Sequence, residues 1–486
     1  MAHASHSTGS AVAPSNQVIV LDAGSSGTRV HVFNILPLAS GQHVPLFDLS
    51  VHDSQTLKLK PGLSHFGSHN DLAGAEQSVK QLLEFARRFV QEPRRSSTPV
   101  LLKATAGLRA LPKQQADAVL ERIRTLLAQS GFDFQPGWAD IIKGREEAGL
   151  AWVAANFLGG TFGNKDQPQA KSMGIIELGG GSMQVVFQVD ASEQVSSQDK
   201  FVFTTARRTE YHLYAHSYLG FGLDYAQKAL RLSMPPPKNM DPCYPVGYVR
   251  QADGLFVQGR LKWLVRGAGD DDKCKGNIKA NLFKGSKEAP GQYLGERPLR
   301  GKLLATQNFF YLGDRMKLPL DGGASAVDNA AQTACRRPIQ PLAKQVVEME
   351  SGSADANVPN SCFGLSYQSV LLQALRAAAT PGVEVEIANT INGREADWAL
   401  GAAVVHSLRD FQQEPAQQSH RHSHGGPQSV GDRALVMLAS FVLMAALLGF
   451  AWRKHFRICR QKRELSDPEI GATVFGAANG YTLPKE

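Results

Sequence analysis

"VIVLDAGSSGTRVHVFNI", residues 18–35, sets an acid and a cluster of glycine and serine between two apolar runs. Val18–Leu21 reads as a buried strand ending in Asp22. Val30, Val32 and Phe33 resume a β pattern after a turn too rich in Gly and Ser to bury anything. Such a loop exposes backbone N–H groups, its hydroxyls add donors, and an acid at the strand end can hold a metal ion, so a phosphate is its natural guest. An ordinary hairpin with a polar turn would read the same way, so the repeat decides. At 174 the pattern restarts as "GIIELGGGSMQVVFQV". With an offset of 155, Asp22 falls on Glu177, Gly24 on Gly179, Val30 on Val185 and Val32 on Phe187. Two such hairpins heading two α/β halves can close on one ligand from opposite sides, each forming half of a phosphate clamp.

At 486 residues the chain is too long for one ordinary core. Lys and Arg number 52 against 44 Asp and Glu, a formal net charge of +8, but no aromatic-interleaved basic run or zinc-finger spacing accompanies it. A nucleic-acid partner is therefore not expected. Residues 434–452, "ALVMLASFVLMAALLGFAW", carry no charge, and at ~1.5 Å per residue they would cross a ~30 Å hydrocarbon core. "RKHFRICRQKR" follows with six Lys/Arg, which by the positive-inside tendency puts residues 453–486 in the cytosol and everything before 434 in a lumen or outside the cell. Against this, the polar leader 1–16 lacks the apolar core of a signal peptide. Cys243, Cys274, Cys335 and Cys362 form an even set that allows three pairings, of which Cys243–Cys274 with Cys335–Cys362 closes the shortest loops. Two disulfides fit an oxidising compartment. A low-complexity, His-containing stretch at 412–433 reads as a stalk.

Between the hairpins, "LLKATAGLRALP" puts Thr105, Ala106 and Gly107 where an apolar strand yields to a helix, a third corner facing an anion. "IIKGREEAGLAWVAANFLGG" then carries Glu146 and Glu147 in the first turn of a helix. Acids there commonly serve as caps and dipole partners. A site that cleaves phosphate with water nonetheless needs one positioned carboxylate base, and this pair is the best placed.

The segments "IVLDAGSSGTRVHVF", "KATAGLRALP", "IIKGREEAGLAWVAANFLGG", "GIIELGGGSMQVVF" and "DWALGAAV" resemble, in order, the five conserved regions of the apyrases, the nucleoside triphosphate diphosphohydrolases that include ecto-apyrases and Golgi nucleoside diphosphatases. "KLKPGLS" (58–64), "HSYLGFG" (216–222) and "CYPVGY" (243–248) add to the likeness, which covers about residues 17–410 and is to a plant- or algal-like member. The resemblance implies an α/β fold of two RNase-H-like (actin/Hsp70-like) lobes with nucleotide in the cleft. Lobe I would comprise 17–142 and 396–411, and lobe II 143–395 with an irregular insertion around 232–300. It implies hydrolysis of the terminal phosphate of nucleoside tri- and diphosphates with Mg²⁺ or Ca²⁺. Glu147 matches the general base, and Ser182 and Gln184 the residues that hold the attacking water. Asp22 and Glu177 match the acids that hold the ion through its water shell. Ser25, Ser26, Gly27, Thr28, Arg29, Thr105 and the turn Gly179, Gly180 and Gly181 match the phosphate-holding set, and Trp398 lies near the lobe junction.

Glu177 stands where many members have Asp, and Ala148 replaces the usual Gly after the base. Phe309, Phe310 and Tyr311 are candidates for stacking on the base of the nucleotide. Two other readings share these motifs. An exopolyphosphatase or guanosine pentaphosphate phosphohydrolase has similar loops but is soluble and cytosolic, and a membrane-anchored nucleotide-binding protein could have lost catalysis.

Overall fold

In the computed structural model, residues 16–36, 43–162, 172–233, 240–251, 256–257, 260–261, 264–294, 297–317, 323–338 and 360–413 are described. The leader, most of the stalk, the apolar segment 434–452 and the basic tail lie outside the described residues. Among the described residues no helix is long and apolar enough to cross a membrane.

The opening stretch forms the antiparallel hairpin β1 (Gln17–Ala23) and β2 (Thr28–Leu36), and its counterpart forms β7 (Gly174–Leu178) and β8 (Ser182–Gln188). Asp22 pairs with Arg29 in the first hairpin and Glu177 with Gln184 in the second, so the offset of 155 is kept in both strands. Each hairpin seeds a sheet of the same plan. In lobe I, β1 also pairs in parallel with β5 (Val100–Ala104), which pairs with β6 (Ala139–Ile141). Here β2 carries β3 (Leu46–Asp48) and β4 (Thr56–Leu59) along its other edge. In lobe II, β7 pairs in parallel with strand Lys302–Gln307, itself paired with Glu384–Ile387. Here β8 carries β10 (Glu210–Leu219), which carries β9 (Lys200–Thr204).

The period-2 alternation of the strands sorts their side chains into separate cores. Ile19, Leu21 and Ala23 face helices Leu72–Arg87 and Lys113–Ala128, whereas Val18 and Val20 belong to a middle core with Trp152, Val186, Leu213, Trp398 and Val404. That middle core joins the lobes through two packed helices, Gly144–Leu158 and Trp398–Gln413. Residues Glu147 to Asn156 are all buried, as expected of a helix enclosed between a sheet and another helix. Ala148 is fully buried there, so its methyl group is accommodated in the core.

The insertion holds more regular structure than its Pro/Gly content suggests. A three-stranded sheet orders Met240–Asp241, Leu264–Gly267 and Val249–Gln251, and helix Asp271–Ile278 follows. Disulfides link Cys243 to Cys274 and Cys335 to Cys362, the sequential pairing.

Candidate active site

The two Gly/Ser turns face each other across a cleft of about 530 Å³, within the ~300–1,000 Å³ typical of small-ligand sites. Lobe I contributes Asp22, Gly24, Ser25, Ser26, Gly27, Arg29 and Thr105, and the lobe II side Glu147, Glu177, Gly179, Gly180, Gly181 and Ser182. The turns nearly touch. A Cβ on Gly180 would stand 2.8 Å from Ser25 Oγ and one on Gly181 2.9 Å from the Ala106 methyl, so bare backbone is what lets them converge.

Two expected ligands stand differently. Thr28 is fully buried because its pairing with Ala23 closes the first hairpin, which places it below the cleft rather than on its wall. Gln184 lies behind the wall, buried, and its amide donates to Ser182 Oγ at 2.6 Å. Arg29 lines the cleft, but its guanidinium is engaged, donating to Asp397 Oδ2 at 2.9 Å with Glu395 3.9 Å away. Of the three candidate aromatics only Tyr311 reaches the cleft. Phe309 is core and Phe310 packs edge-on against Tyr311. Trp398 and Phe363 also line the wall.

The adjacent acids of the helix start divide their roles. Glu146 accepts a hydrogen bond from the Lys143 N–H at 2.9 Å and caps the helix. Glu147 turns into the cleft, 6% exposed, where Arg109 Nη2 donates to its Oε2 at 2.7 Å. Burial raises the Glu147 pKa, against the opposing pull of Arg109.

Asp22 and Glu177 carry the clearest sign of a missing counterpart. Asp22 Oδ1 and Glu177 Oε2 are enclosed and accept no hydrogen bond. Burial, then the neighbouring Asp397, pushes the Asp22 carboxyl up to about 8, and burial, then Glu147, raises Glu177 well above its ordinary value. Buried carboxylates without donors are costly unless a proton or a cation meets them, so the pair fits a divalent ion. Among the described residues no three His, Cys, Asp or Glu side chains converge to ligate an ion directly.

Sequence reasoning missed Asp397, Lys58, Lys60, Asp224 and Arg109. The first four line the cleft. Asp397 immediately precedes Trp398 in "DWALGAAV", the two lysines lie in "KLKPGLS" and Arg109 in "KATAGLRALP", so each stood in a recognised segment without a role. The Asp397 pKa is lowered: burial works against its charge, but His31 when protonated, Arg29 and the Ala399 N–H outweigh it, and once His31 is neutral the Arg29 guanidinium and the Ala399 N–H hold the carboxylate. His31, buried beside it, is held down to about 3 by desolvation.

The GDA1/CD39 (nucleoside phosphatase) family model matches residues 13–419. The chain belongs to this family. Among its nucleoside phosphatase relatives, the Arabidopsis thaliana protein named Probable apyrase 4 is 32% identical over 416 residues, covering 80% of this chain and 79% of that one. Ectonucleoside triphosphate diphosphohydrolase 5 of Mus musculus is 30% identical over 404 residues, covering 81% and 88%. The crystal structure of a nucleoside triphosphate hydrolase from Neospora caninum shares the fold, with a TM-score of 0.58 at 17% identity over 82% of this chain and 93% of that one. Membership in the nucleoside phosphatases favours the apyrase reading over the exopolyphosphatase one.

Proposed function

We propose that this nucleoside phosphatase is an apyrase that hydrolyses the terminal phosphate of nucleoside tri- and diphosphates with water, using Glu147 as the base. The observation that carries the reading is the convergence, on one cleft, of two hairpin turns in equivalent register and a single buried carboxylate beside them.

The backbone N–H groups of Ser25, Ser26, Gly27, Gly180 and Gly181 and the hydroxyls of Ser25, Ser26, Thr105 and Ser182 present donors to the terminal phosphates, while the Gly179 N–H closes its turn on the Ser182 carbonyl. Asp22 and Glu177 would hold Mg²⁺ or Ca²⁺ through its water shell. When bound, such an ion offsets phosphate charge and screens the repulsion between the substrate and the acids of the cleft. Ser182, with Gln184 behind it, places the attacking water, and Glu147 takes one of its protons as the water oxygen bonds to the terminal phosphorus. Burial, which raises the Glu147 pKa against the pull of Arg109, makes its carboxylate a stronger base than an exposed one. The bond to the bridging oxygen breaks, releasing orthophosphate and the shortened nucleotide. Tyr311, Trp398 and Phe363 supply apolar wall for the nucleoside end.

We further infer that segment 434–452 anchors the protein in a membrane with its lobes lumenal (Golgi or endomembrane) or extracellular. The six Lys/Arg after this segment and the two disulfides support that orientation.

Phosphate release from ATP, ADP, GDP, UDP and inorganic polyphosphate, measured with Mg²⁺ or Ca²⁺ and again with chelator, tests the activity. Cation-dependent release from nucleotides is expected. Release from polyphosphate alone, or release from nucleotides that survives chelation, overturns the reading.

A further inference from the structure

The mechanism above leaves Arg109 without a task. It ends the short helix Ala106–Arg109 that follows β5 in lobe I, and it is not among the residues that line the cleft. Its guanidinium instead crosses to groups on the lobe II side. Nη2 donates to Glu147 Oε2 at 2.7 Å and stands 3.3 Å from Ser182 Oγ and 3.4 Å from Ser217 Oγ. Nη1 donates to the Ile142 carbonyl at 3.0 Å, on the connection leading into the Glu147 helix. Both members of the ion pair are nearly enclosed, with side chains 14% and 8% exposed for Arg109 and Glu147.

The donor count adds direction. Gln184 Nε2 donates to Ser182 Oγ at 2.6 Å and to Ser217 Oγ at 3.2 Å, the same two hydroxyls that face Arg109. A guanidinium and an amide nitrogen can only donate, so both serine oxygens serve as acceptors and each hydroxyl proton must be given elsewhere. Arg109 thus meets both the carboxylate proposed to take the water's proton and the hydroxyl beside it.

We propose that Arg109 is a positioning residue that reaches from lobe I to fix the Glu147 carboxylate and the Ser182 hydroxyl, so that the water-activating groups are aligned only while the two lobes hold this arrangement. The proposal rests on Glu147 being the base. A lysine cannot replace it in full, because an ammonium lacks the fork that spans Glu147 and the Ile142 carbonyl together. Besides Arg109, the Gln184 side chain bonds Glu147, whose charge in turn raises the pKa values of the facing Asp22 and Glu177.

The test uses the full chain with Arg109→Gln, Arg109→Lys and Glu147→Gln, measuring kcat for ATP with Mg²⁺ across pH and, separately, the affinity for a non-hydrolysable ATP analogue. Arg109→Gln is expected to lower kcat about 10–100-fold, the scale of a misplaced catalytic group, with analogue affinity within about threefold of wild type. Its acid limb should move to higher pH, since Glu147 must be ionised to accept a proton and has lost its nearest cation. Added guanidinium ion should restore part of the rate. Arg109→Lys keeps the charge, so its acid limb should stay near that of wild type while kcat still falls. In a Glu147→Gln background, Arg109→Gln should cost little more, because the two act as one unit. Wild-type kcat in either Arg109 variant overturns the proposal, as does a loss confined to analogue affinity, which would make Arg109 a phosphate ligand. Should Arg109→Gln not fold, Arg109→Lys decides alone. An inactive Glu147→Gln beside unaffected Arg109 variants refutes this inference and spares the base assignment; an active Glu147→Gln refutes both.

Discussion

Glu146 and Glu147 are chemically alike and adjacent, yet one caps a helix and the other faces the substrate cleft. The difference is ~100° of helix rotation, which turns one carboxylate back to the Lys143 N–H and the other inward to Arg109. Asp22 shows how strongly such placement acts on charge. Its carboxyl is pushed up to about 8 by burial and by Asp397, above the ordinary 3.8 expected in the unfolded chain. A folded-state pKa above the unfolded one means that the protonated form stabilises the fold. That contribution is complete below the unfolded value and is lost as pH rises through the folded value. A divalent ion needs the ionised carboxylate and must displace the proton at low pH. Added Mg²⁺ or Ca²⁺ should therefore raise the melting temperature of the cation-free protein more at about pH 8 than at about pH 5.5. In Asp22→Asn that pH dependence should flatten, and the cation concentration for half-maximal activity should rise about 10-fold or more. Equal shifts at both pH values, with an unchanged cation titration in the variant, would remove Asp22 from the ion site.

Strand, acid, Gly-rich turn and returning strand are local features, and for that reason both hairpins and their equivalence were legible in the sequence, though not the pairing across each. The offset of 155 relates the two hairpins to each other, and the structure adds the pairing within each, Asp22 opposite Arg29 and Glu177 opposite Gln184. Helices Leu72–Arg87 and Lys113–Ala128 each carry one buried apolar face, a local pattern of the same kind. What the sequence did not disclose is set by contacts between distant segments. The engagement of Arg29 by Asp397 joins positions 368 residues apart, so no local pattern announces that this arginine is already paired. Gly144 is similar. It reads as a turn residue, but a Cβ there would lie 2.2 Å from Ser217 Cβ, so its bareness lets β10 approach the start of the Glu147 helix. Thr28 was misplaced for a related reason: the motif has a threonine at the turn, and only the Ala23 pairing shows that the turn has ended there. The small sheet of the insertion escaped because strands of two to four residues leave no periodicity to read.

Across the whole molecule, lobe I begins the chain and also receives its last described helix, Trp398–Gln413, which packs beside Gly144–Leu158 over the middle core. The catalytic cleft is thus built from segments spread between Asp22 and Trp398, and its two halves are held together by the fold rather than by neighbouring sequence. If the lobes face a lumen or the cell exterior, thiol labelling of the unreduced, unfolded protein should modify Cys459 alone, because Cys243, Cys274, Cys335 and Cys362 are paired. Labelling of all five, with protease added outside sealed vesicles digesting the lobes, would place them in the cytosol instead. The central claim is that one buried carboxylate activates water against a phosphate held by two equivalent turns. The most direct measurement of it is nucleotide hydrolysis by Glu147→Gln, which keeps size and hydrogen bonding but cannot take the proton, alongside binding of a non-hydrolysable ATP analogue. Turnover should fall by about 10²–10⁴ while the analogue still binds with near wild-type affinity. Turnover within a few-fold of wild type would contradict the account and return the role to Glu146 or to another group.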